Sequence, residues 1–81
     1  MNITIRLFSI SKEIAGLSEK AITLPASANV ADALEYLYME LPSLKDLHPS
    51  NMYAVGLEYA NAATILHEGD IISIIPPVQG G

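Results

Sequence analysis

The stretch that most restricts the fold is the last apolar run, Ile71 to Ile75, which reads Ile-Ile-Ser-Ile-Ile. Four isoleucines in five positions leave neither side of an extended strand strongly polar. Such a run fits a central strand that is covered on both sides, or a strand that keeps one apolar face for a partner. Pro76 and Pro77 follow it, and because proline cannot donate a hydrogen bond to a neighbouring strand, the sheet is expected to end there.

The first part of the chain gives strand and helix signals in turn. Every second residue from Ile3 to Leu7 is apolar, which predicts a strand over residues 2–8 that buries one face and leaves Phe8 on the other. The stretch SISKEIAG then indicates a short helix that stops at Gly16. KAITLP predicts a second strand ended by Pro25, so that the two strands form a wide hairpin.

The clearest helix signal is NVADALEYLYMEL. Asn29 is a good N-cap, Asp32 follows three residues later in the first turn, and Pro42 blocks continuation. One side of the 3.6-residue repeat is apolar, at Val30, Leu34, Leu37 and Leu41. We expect this stripe to pack against the sheet.

The remaining stretches complete an α+β pattern. MYAVGLEYA predicts a strand that turns at Gly56, ATIL a short edge strand, and HEGD a turn around Gly69. The order fits a mixed sheet with the helix across one face and the first and last strands side by side in its middle. That is the ubiquitin-like β-grasp, although the spacing alone also fits a ferredoxin-like or another small α+β sheet. We expect a β-grasp domain over 1–76 and a flexible C-terminal tail over 77–81.

Composition excludes several classes of protein. The chain has 81 residues, which is one domain, and it contains no cysteine for disulfides or thiolate chemistry. Its formal net charge of -5 would repel phosphate backbones, so nucleic-acid binding is disfavoured. The first residues lack the features of a signal peptide, and no apolar run is long enough to span a membrane. We therefore expect a cytoplasmic protein with no membrane partner.

The side chains do not suggest an active site of their own. His48 and His67 stand far apart without nearby ligands, so we expect no metal site. The serines form no G-x-S-x-G nucleophile elbow, and the glycines form no phosphate-binding loop. No pair of carboxylates is spaced for acid and base catalysis.

The tail PPVQGG is the exception. Pro76 and Pro77 favour an extended, stiff stem, and the four residues from Val78 to Gly81 could reach about 13 Å further. Two glycines make the tip thin enough for a narrow enzyme pocket. The Gly81 carboxylate has a pKa of about 3.5 and is a poor electrophile, so another enzyme must activate it. Adenylation by ATP and attack by sulfide or persulfide would leave a thiocarboxylate, which would let a chain without cysteine carry sulfur.

These residues resemble one known family, the small sulfur-carrier subunits of molybdopterin synthase, known as MoaD, of the ubiquitin-like β-grasp class. The resemblance runs through LFSISKEIAG, NVADALEYL, YAVGLEYA and LHEGDIISIIPPV, and its most specific part is GDIISIIPPVQGG. It implies a MoeB-like adenylating enzyme that uses ATP on Gly81, a sulfurtransferase as the sulfur source, and transfer to cyclic pyranopterin monophosphate. This chain itself would bind no cofactor and would be a non-catalytic subunit.

The resemblance also implies a partner surface. The tail would enter the large, MoaE-like subunit of a heterotetramer, with Gly81 carrying the sulfur and Gly80 permitting passage. The residues expected to position the tail or meet the partner are Phe8, Ile72 or Ile74 on an exposed face of the last strand, Pro76, Pro77 and Val78. Lys12 and Gly56 depart from the family pattern, which has arginine and asparagine there, but neither lies in the tail.

Three other functions stay open at this point. A ThiS-like thiamine sulfur carrier and a ubiquitin-related modifier, acting in transfer-RNA thiolation or in conjugation to lysines, would also use a Gly-Gly end. A β-grasp interaction domain with an inert tail would use no chemistry at all.

Overall fold

Residues 1–45 and 52–76 are described by the computed structural model, the side chain of Ile10 excepted. Within these ranges the elements are β1 (Asn2–Leu7), α1 (Ser9–Ala15), β2 (Glu19–Thr23), α2 (Val30–Glu40), a 3₁₀ turn (Pro42–Leu44), β3 (Met52–Val55), β4 (Glu58–Ala60) and β5 (Ile71–Ile75). The strands form one sheet in the order β2-β1-β5-β3-β4. Strand β5 runs parallel to β1, and the other neighbouring pairs are antiparallel. The first and last strands therefore lie side by side in the middle, which confirms the β-grasp prediction.

Helix α2 begins where the sequence predicts. The Asn29 side chain accepts a hydrogen bond from the Asp32 N–H at 2.9 Å, and the Asp32 carboxylate accepts one from the Asn29 N–H at 3.0 Å. This reciprocal pair is a capping box, which satisfies N–H groups that a helix start leaves without partners. The N–H groups of Val30 and Ala31 have no acceptor within the helix. They donate to carbonyls of the loop that precedes β5, each at 3.0 Å.

That loop replaces the edge strand predicted for ATIL. Ile65 forms a single antiparallel bridge with Asn29, and the Leu66 N–H donates to the Ala28 carbonyl at 2.9 Å. The edge-strand prediction is wrong because the backbone groups of this segment pair with the start of α2 rather than with a strand. The loop thereby ties the helix to the chain that enters β5.

The core lies between α2 and one face of the sheet. The helix contributes Val30, Ala33, Leu34 and Leu37 to it, and the central strands contribute Ile3, Ile5, Leu7, Ile72 and Ile74. The predicted helix stripe is thus confirmed at three of its positions. Leu41 is only partly buried, because it is the C-cap of α2 and its φ of -130° has already left the helix.

The predicted helix stop at Gly16 and the predicted turns at Gly56 and Gly69 are confirmed, and the turn at Gly69 is hydrogen-bonded to β1. Gly69 takes a φ of +83°, which glycine adopts without strain. Its N–H donates to the Asn2 carbonyl at 2.8 Å, while the Asp70 carbonyl accepts from Thr4 at 3.1 Å. The turn therefore fixes the register with which β5 enters the sheet beside β1. No helix in the described ranges is long and apolar enough to cross a membrane.

Candidate functional site

The chain leaves the sheet at the end of β5, between β1 and β3. Pro76 follows directly and is partly exposed. Because proline has no N–H, the hydrogen-bonded ladder cannot continue past it. The remaining predicted site residues of the tail, Pro77, Val78, Gly80 and Gly81, lie outside the described residues, as does His48. Their roles, and that of Pro76, stay predictions.

The two isoleucines predicted to face a partner lie in the core instead. Ile72 and Ile74 are 0% and 2% exposed. They pair with Ile5 and Leu7 of β1, which are buried under α2 as well. Side chains alternate across a strand, so the face opposite α2, here called the open face, receives the other residues of β5, namely Ile71, Ser73 and Ile75. The prediction that Ile72 or Ile74 forms the exposed partner surface is wrong.

Phe8 is exposed, as predicted, although it lies just beyond the strand assigned to it. Strand β1 ends at Leu7, and Phe8 is the N-cap residue of α1, with an extended backbone. The extended backbone continues the alternation of β1, which places the Phe8 side chain on the side of the open face. Its side chain is 43% exposed, although it is one of the largest apolar side chains in the protein. Its role as a contact for a partner stays a prediction.

Phe8 belongs to an apolar area at the end of the open face from which the tail leaves. Ile75 pairs with Met52, and Ala54 pairs with Tyr59, so these four residues share the open face. Met52 is 49% and Tyr59 76% exposed, so both side chains are largely open to solvent on this face. We call this area the tail-side patch; it consists of Phe8, Met52, Ala54, Tyr59 and Ile75.

The hairpin half of the open face, on β1 and β2, is different in character. It carries Asn2, Thr4, Arg6, Glu19, Ala21 and Thr23. The Arg6 Nε and a Glu19 carboxylate oxygen are 3.1 Å apart, and both side chains are about half exposed. A shallow depression of about 380 Å³ beside them is lined by residues that include Phe8, Ser9 and Lys12. Nothing in it is a buried acid, base or nucleophile.

That this chain has no side-chain active site stays a prediction. The described residues contain no group of three or more His, Asp or Glu residues that could hold a metal ion. His67 is an exposed turn residue whose N–H donates to the Asp70 carboxylate at 2.8 Å. Burial, together with the neighbouring Tyr53 phenol, raises the pKa of Tyr38 above its ordinary value of 10.0. A phenol that holds its proton this firmly does not act as a base at neutral pH.

Sequence reasoning missed Met52, Tyr59 and Ile75 as open-face residues. The alternation in IISII and in MYAV divides each strand into two sets, but both sets are apolar. Hydrophobic alternation normally tells which set faces the core. Here it could not, and only the pairing of β5 with β1 decides the question. The clear alternation of β1 shows which of its residues are buried, and the pairing of β1 with β5 then shows which β5 residues share that face.

A family model described as the ThiS family matches residues 5–81. Among the relatives, a protein named molybdopterin synthase sulfur carrier subunit from Chlamydomonas reinhardtii is 31% identical over 83 aligned residues. The alignment covers 100% of this chain and 100% of that relative.

Two solved structures extend the comparison. SAMP1 from Haloferax volcanii, a small archaeal modifier protein, is 26% identical and superposes with a TM-score of 0.92, covering 100% of both chains. A complex of subunits 1 and 2 of the molybdopterin-converting factor from Helicobacter pylori contains a chain that is 30% identical, with a TM-score of 0.70 and again 100% of both chains covered. The match of the family model to nearly the whole chain, together with these relatives, means that the chain belongs to the ThiS family.

Proposed function

We propose that this chain is the sulfur-carrier subunit of a molybdopterin synthase and that the carboxyl group of Gly81 carries the sulfur. The observation that carries this proposal is the alignment, over the whole of both chains, with a molybdopterin synthase sulfur carrier subunit. The fold supplies a physical reason for such a role. A strand held on both sides in the centre of a sheet continues into the sequence Pro-Pro-Val-Gln-Gly-Gly.

The chemistry begins with an unreactive group. A carboxylate has no good leaving group, so ATP first converts the Gly81 carboxylate into an acyl adenylate and releases pyrophosphate. Sulfur at the oxidation level of sulfide then attacks the acyl carbon and AMP leaves, which forms a thiocarboxylate. When the acceptor takes the sulfur, water restores the carboxylate. The chain holds no ATP in this scheme, since the nucleotide is bound by the activating enzyme.

The domain's own contribution is to present the tip. Strand β5 fixes the base of the tail between β1 and β3, and Pro76 and Pro77 limit the directions in which the tail can leave. Glycine at 80 and 81 leaves no side chain to obstruct a narrow channel. A carrier with this design needs no side-chain catalyst of its own.

Three partners follow from the chemistry and belong to this proposal. A MoeB-like adenylating enzyme activates Gly81, and a sulfurtransferase supplies the sulfur. A MoaE-like large subunit accepts the tail and the sulfur passes to cyclic pyranopterin monophosphate. The Helicobacter pylori complex of subunits 1 and 2 supports the last partner. We propose a heterotetramer in the cytoplasm, with two small subunits on a dimer of the large subunit.

Protein modification is the second candidate function. An adenylated Gly81 could also be joined to a lysine, and the structural likeness to SAMP1, at a TM-score of 0.92, supports this use of the same carboxyl group. Sulfur carriage is favoured because the relatives aligned over the whole chain are named as sulfur carriers.

The proposal is tested by intact mass spectrometry after the chain is incubated with ATP, the cognate adenylating enzyme and a sulfur donor. We expect the mass increase of one oxygen replaced by sulfur, and we expect the loaded chain to support molybdopterin formation by the large subunit. A chain that lacks Gly81 and a chain with one residue added after it are the controls, and neither should be loaded.

Loading that persists without Gly81 would contradict the carrier mechanism. Loading that is absent from the intact chain, with Gly81 instead found in an isopeptide bond to lysine, would favour the modifier function. Urea unfolding curves of both controls should match the parent chain, because the altered residues follow the last strand.

A further inference from the structure

The free edge of the sheet at β2 is the starting observation. In an antiparallel pair, the residues of each strand direct their N–H and C=O groups alternately toward the neighbouring strand and away from it. The backbones of Met1 and Leu24 exchange hydrogen bonds, and the Leu7 N–H donates to the Ser18 carbonyl at 2.9 Å. These bonds, with the register of the pair, decide which residues of β2 bond to β1.

The outward backbone groups of β2 belong to every second residue. Lys20 and Ile22 bond to β1, so the N–H and C=O groups that point away from the sheet are those of Glu19, Ala21 and Thr23. Within residues 1–45 and 52–76, no other backbone group bonds to them. The side chains of the same residues are exposed. This edge is therefore open to another strand.

The opposite edge of the sheet, at β4, offers much less. The Gly56 N–H donates to Ile71 of β5, so the alternation along β3 directs Val55 toward Glu58 of β4. Strand β4 spans only Glu58–Ala60, and of its residues Tyr59 alone directs its backbone groups outward. A very short edge strand is a common protection against pairing with another chain. Strand β2 lacks that protection.

The β2 edge can pair with itself. If two copies of β2 run antiparallel about a twofold axis at Ala21, this residue lies opposite Ala21 of the second copy, and Glu19 lies opposite Thr23. Every outward residue of the strand then exchanges hydrogen bonds with the second copy, about six bonds in total. A shift of the register by two residues loses one of these pairs. One of the two possible shifts also places Lys20 directly opposite Lys20 of the second copy.

The charges favour the same register. Lys20 lies opposite Ile22 and Glu19 opposite Thr23, so no like charges face each other directly, which would be destabilising. The Glu19 residues of the two copies are separated by roughly 13 Å along the strand. That separation exceeds the Debye length of about 10 Å at 0.1 M salt. At the axis, the small side chain of Ala21 leaves room for its counterpart.

We propose that a second copy of this chain pairs with the β2 edge and joins the two sheets into one continuous sheet. The inference does not depend on the proposed function and adds a partner to it. Because β1 separates β2 from β5, the base of the tail and the tail-side patch of both copies stay uncovered. The axis reverses the direction of β5, so the two tails leave at opposite ends. Since each copy carries a net charge of -5, dimerisation should strengthen with salt.

The test measures self-association of the full chain by sedimentation equilibrium, from about 10 µM to about 1 mM because a small interface binds weakly. We expect monomer and dimer in exchange. Ala21→Lys and Ala21→Glu each place like charges opposite each other at the axis, and each should raise the dissociation constant of the dimer about fivefold or more. An equal mixture of the two variants should recover the dimer. The matched control is Ala63→Lys in the loop before β5, which should stay within about twofold of the parent chain.

Hydrogen exchange provides a second measurement that does not depend on any variant. As the concentration rises, the amides of Glu19, Ala21 and Thr23 should become protected, because they donate to the second copy. The amides of Lys20 and Ile22 already donate to β1 and should not change. This alternation distinguishes strand pairing from a contact made by side chains alone.

Several outcomes would overturn the inference. They are a chain that stays monomeric throughout the concentration range, equal weakening by Ala63→Lys, and a mixture of the Ala21 variants that does not recover the dimer. Protection that arises in β3 and β4 would place the contact on the tail-side patch instead. Species that grow beyond the dimer would indicate pairing of β2 with β4 of the next copy. Sulfur loading of Gly81 tests the proposed function separately, and neither result decides the other.

Discussion

The two faces of β5 are alike in sequence and opposite in environment. Ile72 and Ile74 lie under α2 with almost no exposed surface, whereas Ile71 and Ile75 alternate with them on the open face and stay partly exposed. Whether an isoleucine of β5 is buried depends on which face of the sheet its position points to, and not on its chemistry. The comparison teaches that an apolar run does not by itself show which face of a strand is buried.

The two halves of the open face repeat this lesson at a larger scale. The hairpin half is polar and carries an ion pair, as expected for a sheet surface that meets water. The tail-side patch is apolar and adjoins the base of the tail. Since one sheet supplies both halves, the fold by itself does not require the tail-side patch to be apolar.

The largest expected effect is on stability and tests the difference between the two faces of β5. Ile72→Ala leaves a cavity in the core and should reduce the free energy of unfolding by about 2–5 kcal/mol. Ile71→Ala, one residue earlier and on the open face, should cost about 1 kcal/mol or less. Urea unfolding of both variants checks the difference. Equal losses would mean that the two faces are equally covered in the free chain.

The second effect concerns the stability of α2, the helix that covers one face of the sheet. Asn29→Ala removes the side chain that accepts from the Asp32 N–H at 2.9 Å, and should reduce stability by about 1 kcal/mol. Glu35→Ala, an exposed change on the same helix, is the control and should be nearly neutral. Thermal and urea unfolding measure both. A neutral Asn29→Ala would show that the loop before β5 holds the helix start unaided.

A smaller effect concerns the polar half of the open face. Arg6 and Glu19 are 47% and 55% exposed, so water weakens their attraction. A double-mutant cycle with Arg6→Ala and Glu19→Ala should give a coupling free energy of about 0.3 kcal/mol. High salt should reduce it further. A coupling above about 2 kcal/mol would contradict an exposed pair.

The smallest effect is a pH dependence on the covered side. Burial and the neighbouring Tyr53 raise the pKa of Tyr38 in the folded chain, so folding favours the protonated phenol. This contribution is fully present below the unfolded pKa of 10.0 and is lost as the pH rises through the higher folded pKa. Tyr38→Phe should therefore flatten the alkaline decline of stability. An alkaline decline as steep in Tyr38→Phe as in the parent chain would contradict the assignment.

Much of the fold could be predicted because local signals agreed with it. The Asn29 cap, the helix stripe, the stop at Gly16 and the turns at Gly56 and Gly69 are each decided by residues close in sequence. The ATIL segment failed because its backbone partners belong to the start of α2, a contact that no local pattern announces. The same holds for the question of which β5 residues face the core. The answer depends on pairing with β1, which is more than sixty residues away in the sequence.

The same distinction between local signals and distant contacts applies to the candidate site. Composition, which can be read directly, predicts Gly80 and Gly81 as site residues because a folded core does not need such a tail. The prediction for Ile72 and Ile74 is wrong because a strand that is apolar on both sides gives no local signal of which face is buried. The prediction that Phe8 is exposed is confirmed, because β1 does alternate between apolar and polar residues.

The placement of β5 has a mechanical consequence. An enzyme that threads and later releases a tail exerts force along the strand from which the tail comes. Strand β5 is hydrogen-bonded to β1 on one side and to β3 on the other. A pull along the tail loads these bonds in shear, so they resist together rather than opening one after another. An edge strand, which is bonded on one side only, would separate more readily under the same load.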